Sequence, residues 1–437
     1  MADEDGPRVE PTDCVATTQH AMSVGRGALD YRAEAGTLVL RDRDGKPKCT
    51  MGFAAYVRTG GAPDRPVTFV FNGGPGSSSV WLHLGLFGPR RVVVDNTAAG
   101  SAPPYQLVDN EHTLLDVSDL VFIDPVSTGH SRAVEGEDPK NFHGVIEDAE
   151  WVSEFIRLWT GRNARWASPK FLAGESYGTI RAAHVTNRLQ ERFGMELNGI
   201  VLIGACLWFQ TLSFVPGNDL GYVLALPSLA AAAHFHGRLP GAPKLPKLLA
   251  EVEEFALGPY AQHLLAGSRA PKDERGQMVA RLATYTGLTP QFIDLADARI
   301  TVDHFRKALL RPERRSVGRL DARFTGIDPD PLAADVEFDP SFSAIRGAYA
   351  TTFNHYLHDE LGVRTDMIYE FYDQATTWPW KMGDDGTNRF LDAGHPTRLS
   401  MIKNPQLRVF VASGLYDLAI PYLSTEWTID HLGIDAA

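Results

Sequence analysis

Residues 171–193 read FLAGESYGTIRAAHVTNRLQERF. Three apolar residues lead into the pentapeptide GESYG at 174–178, and residues 179–193 have the pattern of a helix. A serine on so sharp a turn between a strand and a helix points its hydroxyl out of the sheet, where a base can reach it. The stretch therefore predicts a nucleophile, Ser176, at the carboxyl end of a buried strand.

Other short apolar runs, each ending in small or polar residues, lie on both sides of this stretch. They are Val67–Phe71, Leu120–Ile123, Ile200–Ile203 and Val409–Ala412. Continuous apolar runs are typical of strands that are buried on both faces, as in a parallel sheet. Residues 145–159 repeat apolar side chains at spacings of four and three, which predicts a helix between two of the strands. The alternation indicates a doubly wound α/β fold.

Two further regions complete the predicted organisation. Residues 36–58 predict a β-hairpin around the turn Asp44-Gly45, and residues 1–20 predict an irregular lead-in. From Cys206 to about Gly383 the pattern is helical, with proline and glycine at the breaks, which predicts a cap over the strand ends. The predicted segments are 1–59 for the lead-in and hairpin, 60–205 for the first part of the core, 206–383 for the cap, and 384–437 for the second, incomplete part of the core.

The composition argues against several classes of partner. A net charge of −12 over 437 residues opposes binding to nucleic acid or to an anionic membrane. No run approaches the roughly 18 apolar residues of a membrane span, and no pattern calls for a metal or another cofactor. Three scattered cysteines make no disulfide framework, and the N-terminus has no signal-peptide core. These features favour a cytoplasmic protein over a periplasmic or secreted one and leave the oligomeric state open.

An acyl-transfer enzyme needs more than the serine. Backbone N–H groups must face the developing oxyanion, and the residue after the nucleophile, Tyr177, commonly supplies one of them. The second N–H needs a glycine-rich loop after an early strand, which residues 72–79 (NGGPGSSS) supply. Asp417 follows the last apolar run, where the acid belongs if the triad runs Ser, Asp, His along the chain. The sequence therefore predicts a hydrolase whose triad runs in the order Ser, Asp, His along the chain.

These motifs together resemble the serine carboxypeptidase family of the α/β-hydrolase fold. The resemblance rests on NGGPGSS at 72–78, DPVSTGHS at 124–131 and GESYG at 174–178, and it extends over roughly residues 60 to 437. It implies a mostly parallel sheet with a helical cap and a peptide substrate that has a free C-terminal carboxylate. It also implies that Gly74 and Tyr177 give the oxyanion N–H groups, and that Asn72 and Glu175 bind the substrate carboxylate.

The implied role of Glu175 has a physical requirement. Two bare carboxylates repel each other at hydrogen-bonding distance, so Glu175 can bind a terminal carboxylate only if the two share a proton. We therefore expect activity that favours acidic pH. A purely structural role for Glu175 remains an alternative.

The base of the triad is the part that the sequence does not supply. The residues after Asp417 contain one histidine, His431, in a predicted helix that leads away from the strand ends, and His395 precedes the acid. The run Val409–Ala412 would also be left as an open sheet edge, which natural proteins avoid. We expect the chain to be a fragment or a prematurely ended product whose histidine lies beyond residue 437, and to be inactive or nearly so as it stands.

Two other functions remain open. An acyltransferase or esterase would use the same site on non-peptide acyl groups. A non-catalytic relative would keep the carboxylate pocket and lack the base.

Overall fold

The structure, a computed structural model, describes residues 10–25, 27–94, 100–241, 244–373, 377–383 and 390–434. The strands are β1 Cys14–Val24, β2 Gly27–Arg41, β3 Pro47–Arg58, β4 Val67–Phe71, β5 Arg90–Val92, β6 Leu107–Asp109, β7 Asp119–Asp124, β8 Arg132–Ala133, β9 Lys170–Glu175, β10 Gly199–Ile203, β11 Arg315–Val317, β12 Thr325–Ile327 and β13 Arg408–Ala412. The α-helices are α1 Val80–Leu82, α2 Val145–Arg162, α3 Tyr177–Phe193, α4 Leu220–Phe235, α5 Leu245–Phe255, α6 Ala261–Ala266, α7 Lys272–Thr286, α8 Pro290–Leu295, α9 Val302–Ala308, α10 Pro340–His355, α11 Gly394–Lys403 and α12 Tyr422–Asp430.

One mixed sheet positions the site. Nine of the described strands form it, in the order β1-β2-β3-β7-β4-β9-β10-β13, with β8 paired to β3. The strands from β1 to β7 in this order pair antiparallel, and those from β7 to β13 pair parallel. The fold is the α/β-hydrolase type that the sequence predicts, because the nucleophile strand β9 lies inside the parallel part and helices cover the sheet.

The central strand β4 shows why its sequence is mostly apolar. Phe69 and Phe71 pack in the same cluster as residues of α2 and α3, and the Phe69 ring meets Trp159 edge to face at 5.6 Å. Val70 packs in a second cluster, with Phe122 of β7. Both faces of the strand are covered, and its one polar residue, Thr68, is buried with its hydroxyl 2.8 Å from Ser118 Oγ.

The N-terminal region agrees with the prediction only in part. The predicted hairpin is confirmed: β2 and β3 pair antiparallel, and Gly45 in the turn has φ of 81°. The irregular lead-in is wrong from Cys14 onward, because β1 pairs with β2 along its whole length. Most β1 side chains are exposed or half-buried, so backbone pairing holds the strand and its composition gives no apolar signal. Residues 1–9 lie outside the described residues.

The last apolar run, β13, is not buried on both faces as predicted. It is the terminal strand in the sheet order over the described residues, and the Phe410 side chain is 63% exposed. The prediction of an open edge is therefore confirmed for the described part of the chain. Apolar composition alone cannot distinguish an edge strand from a central one.

The predicted cap contains a hydrophobic core of its own. Helices α4 to α9 form one buried cluster, so the helical pattern predicted for this region is confirmed there. Helix α10 and the turn after it instead pack on the sheet, where Phe353 and Tyr356 join the cluster of Val70. Among the described residues, no helix is long and apolar enough to span a membrane. The division into four segments remains a prediction.

Candidate active site

Ser176 lies on a strained turn between β9 and α3. Its φ of 56° falls in a region that non-glycine residues seldom adopt, at a cost of roughly 1–3 kcal/mol. The Ser176 N–H donates to the Ile203 carbonyl at 2.9 Å, and the Ser176 carbonyl accepts from the N–H of Thr179 at 2.8 Å and from its hydroxyl at 2.7 Å. These bonds hold the turn in the conformation that the sequence predicts for a nucleophile.

Close backbone contacts explain the glycines around the serine. A Cβ at Gly174 would lie 2.2 Å from the Gly178 oxygen, and a Cβ at Gly73 would lie 2.5 Å from the Tyr177 nitrogen. The loop after β4 therefore packs directly on the first turn of α3. Because Gly73 contacts Tyr177, the neighbouring residue Gly74, which has φ of 105°, also lies close to the Tyr177 N–H. The two predicted oxyanion donors thus belong to segments in contact.

Asn72 and Glu175 hydrogen-bond each other beside the nucleophile. Asn72 Nδ2 donates to Glu175 Oε2 at 2.9 Å, and Asn72 Oδ1 accepts from the Leu82 N–H at 3.0 Å. Desolvation raises the pKa of the Glu175 carboxyl, while hydrogen bonds from Asn72 and from the Gly73 N–H lower it in part. A carboxyl that keeps its proton at mildly acidic pH can donate a hydrogen bond to a second carboxylate.

Asp417 lies in the loop after β13. Its Oδ1 accepts from the backbone N–H groups of Ala419 at 2.8 Å and Ile420 at 3.0 Å. A Cβ at Gly204 would lie 3.5 Å from Asp417 Oδ2. Gly204 follows Ile203, whose carbonyl binds the Ser176 N–H, so the end of β10 lies between the predicted acid and the nucleophile.

The surroundings of Asp417 oppose its charge. Desolvation raises the pKa of Asp417 to about 7, the two backbone hydrogen bonds lower it, and the nearby Glu175 charge raises it further. Arg319 lowers the pKa of Asp417 from the cap side. Over the described residues, the effect of Arg319 is smaller than that of desolvation. In a triad, a histidinium beside the aspartate would favour its ionisation.

The two histidines weighed in the sequence lie in other environments. The His431 ring stacks on Trp427 at 3.9 Å, and its Nδ1 lies 2.7 Å from the Trp427 carbonyl. His395 is exposed in the first turn of α11, and its backbone N–H donates to Asp392. Over the described residues, the hydrogen bonds of the Asp417 carboxylate come from its own loop and none comes from a histidine. Within the same residues, no group of His, Cys, Asp and Glu could hold a metal ion.

Sequence reasoning missed the side chains behind the site. Arg181 of α3 is almost fully buried and ion-pairs with Asp148 of α2 at 2.7 Å. The Trp380 indole N–H donates to the Tyr177 hydroxyl at 2.8 Å. The available signal was an acidic and a basic residue on the apolar faces of two neighbouring predicted helices. Because a salt bridge between helices depends on how the helices pack, the pattern alone does not identify the pair.

Comparisons with known proteins agree with this arrangement. A family model for serine carboxypeptidases matches residues 47–208, which include Asn72, Gly74, Glu175, Ser176 and Tyr177. The chain is 31% identical over 130 residues to serine carboxypeptidase-like 33 of Arabidopsis thaliana, covering 29% of this chain and 24% of that protein. It is 28% identical over 142 residues to the pheromone-processing carboxypeptidase KEX1 of Yarrowia lipolytica, covering 32% and 21%. The matches thus span less than a quarter of either relative.

A solved structure supports the same fold. The prohormone-processing carboxypeptidase KEX1ΔP of Saccharomyces cerevisiae aligns over 93% of this chain and 78% of its own, with a TM-score of 0.57 and 17% identity. The family match covers the glycine-rich loop and the nucleophile turn, and the fold carries both on adjacent parallel strands. Residues 47–208 of the chain thus match the serine carboxypeptidase family, and the solved structure shows that the chain shares its fold.

Proposed function

We propose that this chain is a serine-type carboxypeptidase, which hydrolyses the C-terminal peptide bond of a peptide through an acyl-enzyme. The observation that carries the proposal is the hydrogen bond between Asn72 and Glu175, one residue from the strained Ser176. A desolvated carboxyl of raised pKa so close to the nucleophile fits a substrate whose own carboxylate lies next to the scissile bond.

The proposed chemistry follows the order of acyl transfer. Ser176 Oγ attacks the last peptide carbonyl while a base takes its proton, and the N–H groups of Gly74 and Tyr177 stabilise the oxyanion. The base then gives the proton to the leaving amino group, and water hydrolyses the acyl-enzyme ester to restore Ser176. Asp417 orients the base. The proposal assigns that base to no histidine of the described residues.

Recognition of the terminal carboxylate gives the first test. N-acyl dipeptides with a free or an amidated C-terminus are titrated into the protein by calorimetry at pH 5 and pH 8. We expect the free acid to bind at least about tenfold more tightly at pH 5, worth roughly 1.4 kcal/mol, and the preference to shrink at pH 8 as Glu175 loses its proton. Equal affinities for the two peptides at pH 5 would contradict the proposal.

Glu175→Gln is the matched variant for this test. The amide keeps a hydrogen-bond donor but has no proton to lose. The variant should therefore bind the free acid without the fall between pH 5 and pH 8. A wild-type pH dependence in Glu175→Gln would assign the carboxylate recognition to another group.

Turnover by the natural full-length protein separates the alternatives. Release of the C-terminal amino acid, with water alone as the acyl acceptor, is the expected result for a carboxypeptidase. Capture of the acyl group by an added alcohol or amine, in preference to water, would indicate an acyltransferase, and cleavage of esters alone would indicate an esterase. Saturable binding of the free acid without any turnover would indicate a non-catalytic relative.

A further inference from the structure

Arg181 joins three parts of the site from behind. Its side chain is almost fully buried, and its Nε donates to Asp148 Oδ2 at 2.7 Å. Its Nη1 donates to the backbone carbonyl of Asn72. Its guanidinium also lies over the Tyr177 ring, 5.3 Å from the ring centre. One cation thus connects α2, the loop after β4 and the first turn of α3.

Asn72 is therefore bound at both its backbone and its side chain. Arg181 donates to the Asn72 carbonyl oxygen, and Asn72 Nδ2 donates to Glu175 Oε2 at 2.9 Å. A hydrogen bond to the charged form of a carboxyl lowers its pKa, and a donor that is already held in place bonds more effectively. The Arg181 contact fixes the backbone of Asn72 and so helps to fix the direction of its side-chain N–H.

We propose that Arg181 is a positioning residue that holds Asn72 against Glu175 and thereby sets the pH range over which the site recognises a terminal carboxylate. This inference rests on the proposed function for its biological meaning, because only then does Glu175 bind substrate. Its physical content is narrower: Arg181 controls the proton affinity of Glu175 through Asn72. Arg181 touches no reacting atom in this scheme.

Other groups also face Glu175 and must be held constant. Asp417 and Cys206 lie on the β10 and β13 side, where each interacts electrostatically with Glu175. Tyr372 faces it from the segment after the cap, and Arg319 acts on both Asp417 and Tyr372. Every variant below keeps all four of these residues, so their effects cancel in the comparison.

The charge of Arg181 must be separated from its hydrogen bond. Removing Arg181 alone would leave Asp148 buried without a partner, which is strongly destabilising. The double variant Arg181→Met with Asp148→Leu removes the pair without changing the net charge. Asp148→Asn removes only the negative charge and retains the Arg181 contact to the Asn72 carbonyl.

The experiment is a carboxyl titration by NMR in protein labelled with ¹³C-carboxyl glutamate, with Glu175 assigned by its loss in Glu175→Gln. In the double variant we expect the Glu175 midpoint to rise by about half a pH unit or more, since Asn72, no longer held by Arg181, stabilises the carboxylate less. In Asp148→Asn the midpoint should stay or fall. Arg181→Lys, which keeps the charge but cannot reach both partners with a planar fork, should raise the midpoint by a smaller amount.

The outcomes are decisive in each direction. An unchanged midpoint in the folded double variant would overturn the inference, because a purely structural role changes the melting temperature and leaves the titration alone. If the double variant does not fold, the Arg181→Lys midpoint decides in the same way. Calorimetry with the free-acid dipeptide then tests the link to recognition, whose decline with pH should move with the NMR midpoint. A shifted midpoint in a protein that does not prefer the free acid would reject the proposed function and retain the role of Arg181.

Discussion

The predicted nucleophile and the predicted acid are held by different means. Ser176 lies between β9 and α3. There the backbone packs so closely against the loop after β4 that a Cβ at Gly73 would not fit. Asp417 follows the edge strand β13, and its loop is bonded to the cap: the Arg319 carbonyl accepts from the N–H groups of Leu418 and Ala419, each at 3.0 Å. The sheet fixes one half of the site, and the seam between sheet and cap fixes the other.

The hydrophobic packing shows the same division. Tyr177 is buried in the sheet cluster, whereas Leu418 and Tyr422 after the acid are buried in the cap cluster with α4 to α9. A change in the sheet core should therefore disturb the nucleophile first. A change in the cap core should disturb the acid first, although the cap is far from Ser176 in sequence.

The largest expected effect is at the nucleophile itself. In the natural full-length protein, Ser176→Ala should lower hydrolysis of a good substrate by more than about 10³-fold, because loss of the nucleophile leaves only binding and the oxyanion donors. Rates are measured on a peptide or ester substrate, together with covalent labelling by a fluorophosphonate. The exposed Ser23→Ala is the control and should keep the full rate. Labelling that survives in Ser176→Ala would place the nucleophile elsewhere.

The next largest effect concerns the closely packed loop beside Ser176. Gly73→Ala would put a Cβ 2.5 Å from the Tyr177 nitrogen and 2.7 Å from the Glu175 carbonyl. Because both atoms are backbone, the loop must move, and we expect a loss of more than about 3 kcal/mol in the free energy of unfolding with a fall of about 100-fold in rate. Gly194→Ala, at φ of 60° with open space around it, should cost only about 1 kcal/mol. Equal losses in urea unfolding would show that the contact at Gly73 is not rigid.

The predicted acid, Asp417, should make the free energy of unfolding depend on pH. The pKa of Asp417 is raised to about 7 in the folded protein, so the folded state binds this proton more tightly than the unfolded state. Stability from this group is complete below about pH 4 and is lost as pH rises through about 7. Asp417→Asn should remove the loss and stabilise the protein by about 3–4 kcal/mol at pH 8 but little at pH 4.

Chemical denaturation at pH 4, 6 and 8 tests this prediction, with the exposed Asp366→Asn as the control. Destabilisation of Asp417→Asn at pH 8 would show that a cation stabilises the carboxylate in the folded protein. Such a result would also place a basic partner near Asp417.

The smallest effect concerns the edge. Phe410 is 63% exposed on β13, so Phe410→Ala should change the free energy of unfolding by less than about 1 kcal/mol and reduce self-association seen by light scattering. Phe69→Ala, at the centre of the same sheet, should cost about 3–5 kcal/mol. A large cost for Phe410→Ala would mean that another surface covers the edge in solution.

Sequence and structure agree where the signal is local. The strand ends and the turn at Ser176 were predictable because apolar runs and glycines reflect burial and close approach at single positions. The lead-in was mispredicted because β1 is held by backbone pairing to β2, to which its side chains contribute little. The roles of Arg181 and Arg319 could not be predicted, since each depends on which distant segments pack together in three dimensions.

The hydrogen bonds between the cap and the Asp417 loop constrain any exchange of caps among relatives. The Ala322 N–H donates to the Tyr416 carbonyl at 2.9 Å, and the Arg319 carbonyl accepts from the N–H groups of Leu418 and Ala419. These are backbone bonds, so a transplanted cap could carry a new sequence and still retain them. The transplanted cap would need to reproduce the backbone path of residues 319–322. A shifted path would displace the Asp417 carboxylate even where the new cap gave the desired selectivity. We expect grafts that retain residues 319–322 together with the recipient's own Asp417 loop to keep both the new selectivity and the position of the carboxylate.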